Sequence, residues 1–289
     1  MELPRGKPGF LLLSPWSGEP TSKRIDEAAR DLGLGCRIET FADGSRRDPS
    51  PVPPGMPVLP RIGQRSLETG LSRLAALERG GARPLNPSTA IERAKRKGEL
   101  AFLPGLGIGR PRSALLAPGD PIPSGIDFPF VAKSPRGARG SGVHRIDSPA
   151  DWQALGAGSD TPWLIERFVS PDRRREWRVL VLQGDAFASS ERAPAPGEFR
   201  SNRALGGRQW DSPAPSDLLE VARRAAAAFG LGLAGIDLLV ERDGEPLVVD
   251  VNDSPGLVGI SRALGRDLAG ELIRRWLLPR GRGPEPTSS

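Results

Sequence analysis

Asp250 and Asn252 stand two apart at the end of an apolar run, VVDVN, and the turn residues Ser254-Pro255-Gly256 follow almost at once. In a strand, side chains two apart share a face, so this pair presents two oxygen-bearing groups side by side. Hard cations such as Mg²⁺ take oxygen ligands of this kind. A plainer reading competes, because Asp and Asn also favour strand ends and turns. Upstream, Asp237 sits in the apolar GIDLL, and GLAGIDLLVERDGEPLVVDVN reads as two strands joined at Asp243-Gly244. Antiparallel pairing about that turn brings Asp237 opposite the neighbourhood of Asp250, so the oxygens of Asp237, Asp250 and Asn252 converge on one face. Solvated strand edges remain an alternative. An unpaired carboxylate buried in GIDLL is costly, however, and that favours a cation.

A magnesium site with few carboxylates draws its other ligands from phosphates. The stretch FPFVAK, Phe128 to Lys133, reads as a strand ending in a lysine, and SPRGARGSGV follows with Gly137, Gly140 and Gly142. Backbone amides of such a loop can wrap a polyphosphate, while the lysine supplies a point charge. Neither the helix-opening GxGxxG nor the phosphate-loop GxxxxGK[ST] pattern is present. A glycine-rich loop alone is more often a mobile surface loop. Joined to a strand, a lysine and a distant acidic hairpin, it is a much more specific sign. His144 is the only histidine and reads as a lid or surface residue rather than a base. Cys36 is the only cysteine, which rules out an internal disulfide or a cysteine zinc site.

The elements that must position these groups can be read from pattern. Residues 9–14 read as a buried strand, Thr21 to Leu32 as a helix, Cys36 to Phe41 as a second strand and Pro57 to Gly63 as a strand ending in a loop with Arg61. Asp43 to Pro54 is polar and turn-rich. Ser66 to Arg79 has helical spacing. This alternation predicts a small parallel α/β domain. A helix is expected from Asn86 or Ser88, with Lys95 and Lys97 near its end. After it come strands at Phe128–Lys133 and Thr161–Val169, a hairpin about Gly184-Asp185, an alanine-rich helix over Pro213–Phe229, the acidic hairpin, and a last helix over Asp267–Leu277.

At 289 residues the chain has room for two domains or so. No apolar run approaches the roughly 20 residues a membrane span needs, and FLLL at Phe10–Leu13 is too short for a secretory signal core. A cytoplasmic location is expected. The net charge of +6 suits anionic ligands. Its arginines are spread along the chain, which disfavours a dedicated nucleic-acid surface. The tail PRGRGPEPTSS, from Pro279, lacks apolar residues and is expected to be disordered.

Beyond these readings, PRIG at 60–63, PLN at 84–86, FVAKSPRGARGSGV at 130–143, GEFRSN at 197–202, GG at 206–207, AGIDLL at 234–239 and VNDSPGLVGI at 251–260 occur in this order. In order and spacing they resemble the ATP-grasp superfamily, and within it the RimK-type alpha-L-glutamate ligases, over almost the whole chain. The resemblance implies an α/β (α+β) ATP-grasp fold. A small parallel pre-ATP-grasp domain (1–87) would precede two subdomains that clamp ATP (88–169 with the lid loop, 170–279 with the metal site), and 280–289 would form the tail. Lys97 and Lys133 look like the nucleotide-binding lysines, and Gly137, Gly140 and Gly142 like the lid over the phosphates. Glu166, Arg167 and Phe168 fall at the linker bordering adenine, and Glu176 where the family places its ribose-binding acid. Arg200, Ser201 and Asn202 match the phosphate and acyl-phosphate site, and Asp237, Asp250 and Asn252 the metal ligands. Arg192, with Arg178 and Arg61, is a candidate contact to the acidic substrates or the reacting phosphoryl, and each is equally a candidate surface salt-bridge partner.

Three positions depart from the family pattern. Arg96 stands where an acid usually precedes the first lysine, Arg167 where glutamate is common beside adenine, and Asp250 where the central metal ligand is usually the longer glutamate. The implied activity is an ATP-dependent carboxylate–amine ligase working through an acyl phosphate, with Mg²⁺ or Mn²⁺ as two ions. It would add glutamate or a similar amino acid to an amine- or carboxylate-bearing acceptor such as a protein tail, without a membrane partner and as a possible homo-oligomer. A non-catalytic nucleotide-binding module is the alternative, with Arg96 and Asp250 as marks of decay. An RNA-associated protein ranks last.

Overall fold

The computed structural model describes residues 8–41, 52–117, 120–134, 142–156, 162–201, 205–241 and 244–278. Gly137, Gly140, Asn202, Asp243 and the tail from Pro279 lie outside the described residues, as does most of the polar stretch from Asp43.

The first sheet is parallel, with strands β1 (Pro8–Ser14), β2 (Gly35–Thr40), β3 (Pro57–Pro60) and β4 (Arg83–Pro84) in the order β2-β1-β3-β4. Parallel sheets bury both faces, and β1 shows why FLLL is uninterrupted. Phe10 and Leu12 pack towards Ile25 and Ala29 of α1 (Pro20–Asp31) and Leu272 of α7 (Leu268–Leu277). Leu11 and Leu13 pack towards Leu74 and Leu77 of α2 (Leu67–Arg79) and Ile91 of α3 (Ser88–Lys95). Helix α1 starts where Glu19 accepts the Ser22 N–H at 2.7 Å, with Pro20 at its first position, a capping arrangement that satisfies a free helix-end donor.

The second sheet is antiparallel, in the order β5-β8-β6-β7: β5 (Ser113–Leu116), β8 (Trp163–Arg167), β6 (Phe130–Lys133) and β7 (Val143–Ile146). Phe130, Ala132 and Ile165 form its core with Trp152 of α4 (Pro149–Gly156). The third sheet, also antiparallel, has the order β11-β10-β9-β12-β13: β9 (Arg174–Leu182), β10 (Asp185–Ala193), β11 (Arg208–Asp211), β12 (Leu233–Glu241) and β13 (Leu247–Asn252). Its Val179, Val181, Ile236 and Leu238 bury against Ala222, Ala225 and Ala226 of α5 (Ser216–Ala228). The small alanines of that helix let it lie close to the sheet.

The long periodic elements fall where the sequence predicts them. The hairpin turn between β9 and β10 is Gln183-Gly184, one residue earlier than expected, with Leu182 opposite Asp185 and φ of 49° and 87° at the turn. Two-residue hairpin loops take such left-handed conformations because they match the strand twist. The short strands β4, β5, β7 and β11 escape the pattern reading, as do the eight-residue helices α4 and α6 (Leu257–Leu264). Few residues give little periodicity. Lys97 does not continue α3 but opens a 3-10 stretch, Lys97–Leu106.

Candidate active site

Asp237 and Asp250 face each other in register on β12 and β13, and Asn252 lies opposite Gly235. One irregularity separates them from the rest of the ladder: Asp237 pairs with Asp250, but Leu238 pairs with Val248, so Val249 is an extra residue in β13. A bulge of this kind leaves its residue unpaired and bends the strand. Here Val249 offers its carbonyl to Lys133 Nζ at 2.8 Å. On the same strand Lys97 Nζ bonds Asp250 Oδ1. The two lysines, from the 3-10 stretch and from β6, therefore meet on the strand that carries the acids. Gly235 also has a packing role, since a Cβ there would lie 2.9 Å from Pro255 Cβ.

Asp237 is 8% exposed, but it is not unpaired. Arg178 Nε and Nη2 each donate to one of its oxygens at 2.6 Å, and Arg192 Nη1 lies 3.2 Å from Oδ1. The premise that its burial requires a metal is thus corrected, because two guanidiniums already meet the charge. Burial pushes the Asp237 carboxyl up, yet Arg178 and Arg192 outweigh it and hold the group below its ordinary value. Nearby Glu176 goes the other way. Burial dominates and raises it, despite Arg192, Arg174 and the Ser201 hydroxyl, which donates at 2.6 Å. One carboxylate is kept ionised and its neighbour is pushed towards the neutral form.

Lys133 also pairs with Glu166 at 2.6 Å, and Glu166 is bonded in turn by the buried Arg110. Glu166 thus holds a lysine. Arg167 spends its guanidinium on Glu241, at 2.6 Å and 3.3 Å, tying the end of β8 to the end of β12. Glu166, Arg167 and Val169 line the cleft, whereas Phe168 does not. Its ring stands edge-on to Phe199, 6.0 Å between centroids, with Arg145 over its face. Arg200 bonds Glu198 through Nε and Nη2, which holds the Glu198 carboxyl down at about 2, and Nη1 reaches the Val143 carbonyl at 3.2 Å. Gly142 closes the base of the glycine stretch, where its carbonyl accepts the Ser134 N–H at 2.7 Å.

The lysines Lys97 and Lys133 and the acids Asp237, Asp250, Glu166 and Glu176 line one cleft of about 820 Å³, where the described lining residues include ten lysines and arginines against six Asp and Glu. That surplus favours a polyanionic ligand. Arg61 and Arg192, which could have been surface residues, are both buried. Arg61 donates to the Pro255 carbonyl at 2.7 Å, and Asn86 donates to the carbonyls of Asp253 and Leu233. The first sheet and its exit segment thereby fix the turn that follows Asn252. Arg110, Arg174 and the Lys95–Asp253 pair, at 2.6 Å, also belong to the cleft or its support, and no local pattern marks them. His144 is exposed on an edge strand, and burial, with Asp26 beside it, pushes the Cys36 thiol up to about 12.

The donors fit a hard divalent ion in part. Two carboxylates and an amide share a face, and the Asn252 amide nitrogen is used on the Gly235 carbonyl at 3.3 Å, which leaves the amide oxygen to offer. Among the described residues no group of three His, Cys, Asp or Glu gathers to hold a metal, so such an ion needs further oxygens from a ligand.

The chain matches the family described as RimK-like ATP-grasp domain over residues 117–276. It is 33% identical over 273 residues to a probable alpha-L-glutamate ligase of Citrobacter koseri, covering 88% of this chain and 90% of that one. It is 34% identical over the same length and coverage to a ribosomal protein bS6–L-glutamate ligase of Escherichia fergusonii. The solved structure of the ATP-grasp ligase PsnB, complexed with minimal precursor, Mg and ADP, shares its fold at a TM-score of 0.71 and 14% identity, over 95% of this chain and 98% of that one. The chain belongs to the RimK-like ATP-grasp family. It is an ATP-grasp ligase, an enzyme that forms carbon–nitrogen bonds. Among the described residues no helix is long and apolar enough to cross a membrane.

Proposed function

We propose that the chain is an ATP- and Mg²⁺-dependent carboxylate–amine ligase that works through an acyl phosphate and adds glutamate or a similar amino acid to a protein or small-molecule acceptor. The observation that carries this reading is the convergence of Lys97 and Lys133 on Asp250 and Val249, beside Asp237. Charges for phosphates and oxygens for a metal meet at the last hairpin. Relatives named as glutamate ligases support the choice of amino acid. Residues 1–87 serve as the pre-ATP-grasp unit, and 88–169 and 170–279 as the two halves of the clamp. A cytoplasmic location accompanies this reading, in line with the single cysteine.

Lys97 and Lys133 exchange their present carboxylate partners for phosphate oxygens, and the glycine segment with Gly137, Gly140 and Gly142 covers them. Glu176, oriented by Ser201, receives the ribose hydroxyls, and the backbone from Glu166 to Phe168 borders adenine. Asp237, Asp250 and Asn252 would hold the Mg²⁺ or Mn²⁺ ions, expected as two, which when bound would neutralise the phosphate charge. A substrate carboxylate oxygen forms a bond to the γ-phosphorus and ADP leaves. An amine nitrogen then attacks the acyl carbon, phosphate leaves, and the nitrogen gives up a proton. Arg200, with Ser201 and Asn202, and Arg192 position the phosphoryl and stabilise its charge. The chemistry needs positioning and charge, so a protein nucleophile is not required.

A screen of glutamate and related amino acids against acidic peptides and small amines, read as ADP release together with amide mass, tests this. Lys133→Ala and Asp250→Ala should lose turnover. Full turnover in both variants, or no pair that stimulates ADP release, overturns it.

A further inference from the structure

Asp237 is the carboxylate at the heart of the proposed metal site, yet both of its oxygens are already engaged. Arg178 lies directly opposite it in the β9–β12 register and grips it in a two-point bond, 2.6 Å on each side. Arg192 Nη1 stands 3.2 Å from Oδ1 as an ion pair, and Lys97 holds Asp250. A carboxylate has about four lone-pair sites, and Arg178 takes one on each oxygen of Asp237. The charges decide further. Arg178, Arg192 and Lys97 are matched there by Asp237, Glu176 and Asp250, so a bare dication would have to displace a cation that is already paired. A dication that arrives on a triphosphate brings an excess of negative charge that can take up the displaced cation.

Arg178 also lines the cleft. Its planar fork matches carboxylate and phosphate equally well. Once Asp237 turns to a metal, the freed guanidinium stands beside the reacting groups. We propose that Arg178 is a cation held in place of the metal: it occupies Asp237 while the nucleotide is absent, excludes free divalent metal, and passes to the anionic end of the acyl substrate when the metal–nucleotide binds. This rests on the metal reading of Asp237, Asp250 and Asn252 proposed above.

The test uses Mn²⁺ alone as probe, with free Mn²⁺ counted by electron paramagnetic resonance over the full-length chain. Without nucleotide, Arg178→Gln should tighten Mn²⁺ binding by about tenfold or more, the order expected for losing one charge-assisted two-point bond. Its ligase turnover should fall by roughly a hundredfold. Arg178→Lys, which keeps the charge but can grip only one oxygen, should tighten Mn²⁺ less, giving the order wild type, lysine, glutamine. Opposite signs for metal affinity and turnover set this role apart from a structural one, in which both would fall. Unchanged or weaker Mn²⁺ binding in both variants overturns the proposal, as does tight Mn²⁺ binding by the nucleotide-free wild type. A separate arm adds ADP to wild type and Asp237→Asn. If ADP brings in Mn²⁺ only when Asp237 is present, the metal site stands whatever the Arg178 variants do. If ADP brings in none, the site and this proposal fall together.

Discussion

Strands β1 and β9 are both central in their sheets, but they serve the molecule in different ways. In β1 the residues Phe10 to Leu13 are fully buried and pack into apolar clusters on either side. In β9 the apolar Trp177, Val179 and Val181 face α5, while Glu176 and Arg178 reach into the cleft and bond Ser201 and Asp237. The first strand is held by burial, roughly 1.5–3 kcal/mol for each large side chain. The second adds buried charge, which is tolerated only while each group keeps its partner. A defect in β1 should therefore spread through stability alone. A defect on the charged side of β9 and β12 should appear in stability and function together.

The sharpest way to break this contrast is Asp237→Ala. It strands Arg178 without its carboxylate and leaves Arg192 only Glu176, so about 3–5 kcal/mol of stability should go in urea titrations, with ligase turnover lost as well. Leu12→Ala should cost about 2–5 kcal/mol in the same titration but leave turnover per folded molecule near wild type. If it lowers kcat more than stability, the division between the strands is wrong. Lys133→Ala should cut turnover by roughly a hundredfold with little change in the urea midpoint, because Glu166 keeps Arg110.

Glu176→Gln should show the opposite sign on stability. The folded carboxyl is raised above 4.5, so above that pH the folded chain keeps a proton that the unfolded chain releases. Stability from this group is complete below about pH 4.5 and is lost as pH rises through the folded value. The glutamine variant should lack that slope and melt higher at neutral pH, while binding ATP more weakly in calorimetry. The smallest effect belongs to Glu241→Gln, which opens the partly exposed pair with Arg167. A loss of no more than about 1 kcal/mol is expected there.

The uninterrupted FLLL and the alanine-rich helix were legible because burial on two faces, or on one stripe, leaves a periodic trace. Asp250 and Asn252 were legible for a related reason, since strand geometry alone puts residues two apart on one face. Glu166 shows where that reasoning stops. Its position beside the adenine linker was readable, but its use as the partner of Lys133 and Arg110 was not. Asp237 shows the same limit: burial of its carboxylate was a reason to expect a metal, and the fold meets that charge with Arg178 and Arg192. Arg110, Lys95 and Arg174 left no signal, because each matters only through a partner from another element.

By itself the amino-acid sequence determined the alternation of strands and helices, the family, and the oxygen-bearing face of the last hairpin. The elements and that face follow from neighbours along the chain and from the repeat of each element, and the family from a resemblance in the order of its motifs. Only the tertiary structure decided which cation meets which carboxylate. Lys97 and Asp250 are separated by 153 residues and Arg110 and Glu166 by 56. The carbonyl that receives Lys133 is free because of a single bulge at Val249. Such pairings depend on strand register and sheet order, and a charge has no periodicity that announces its partner.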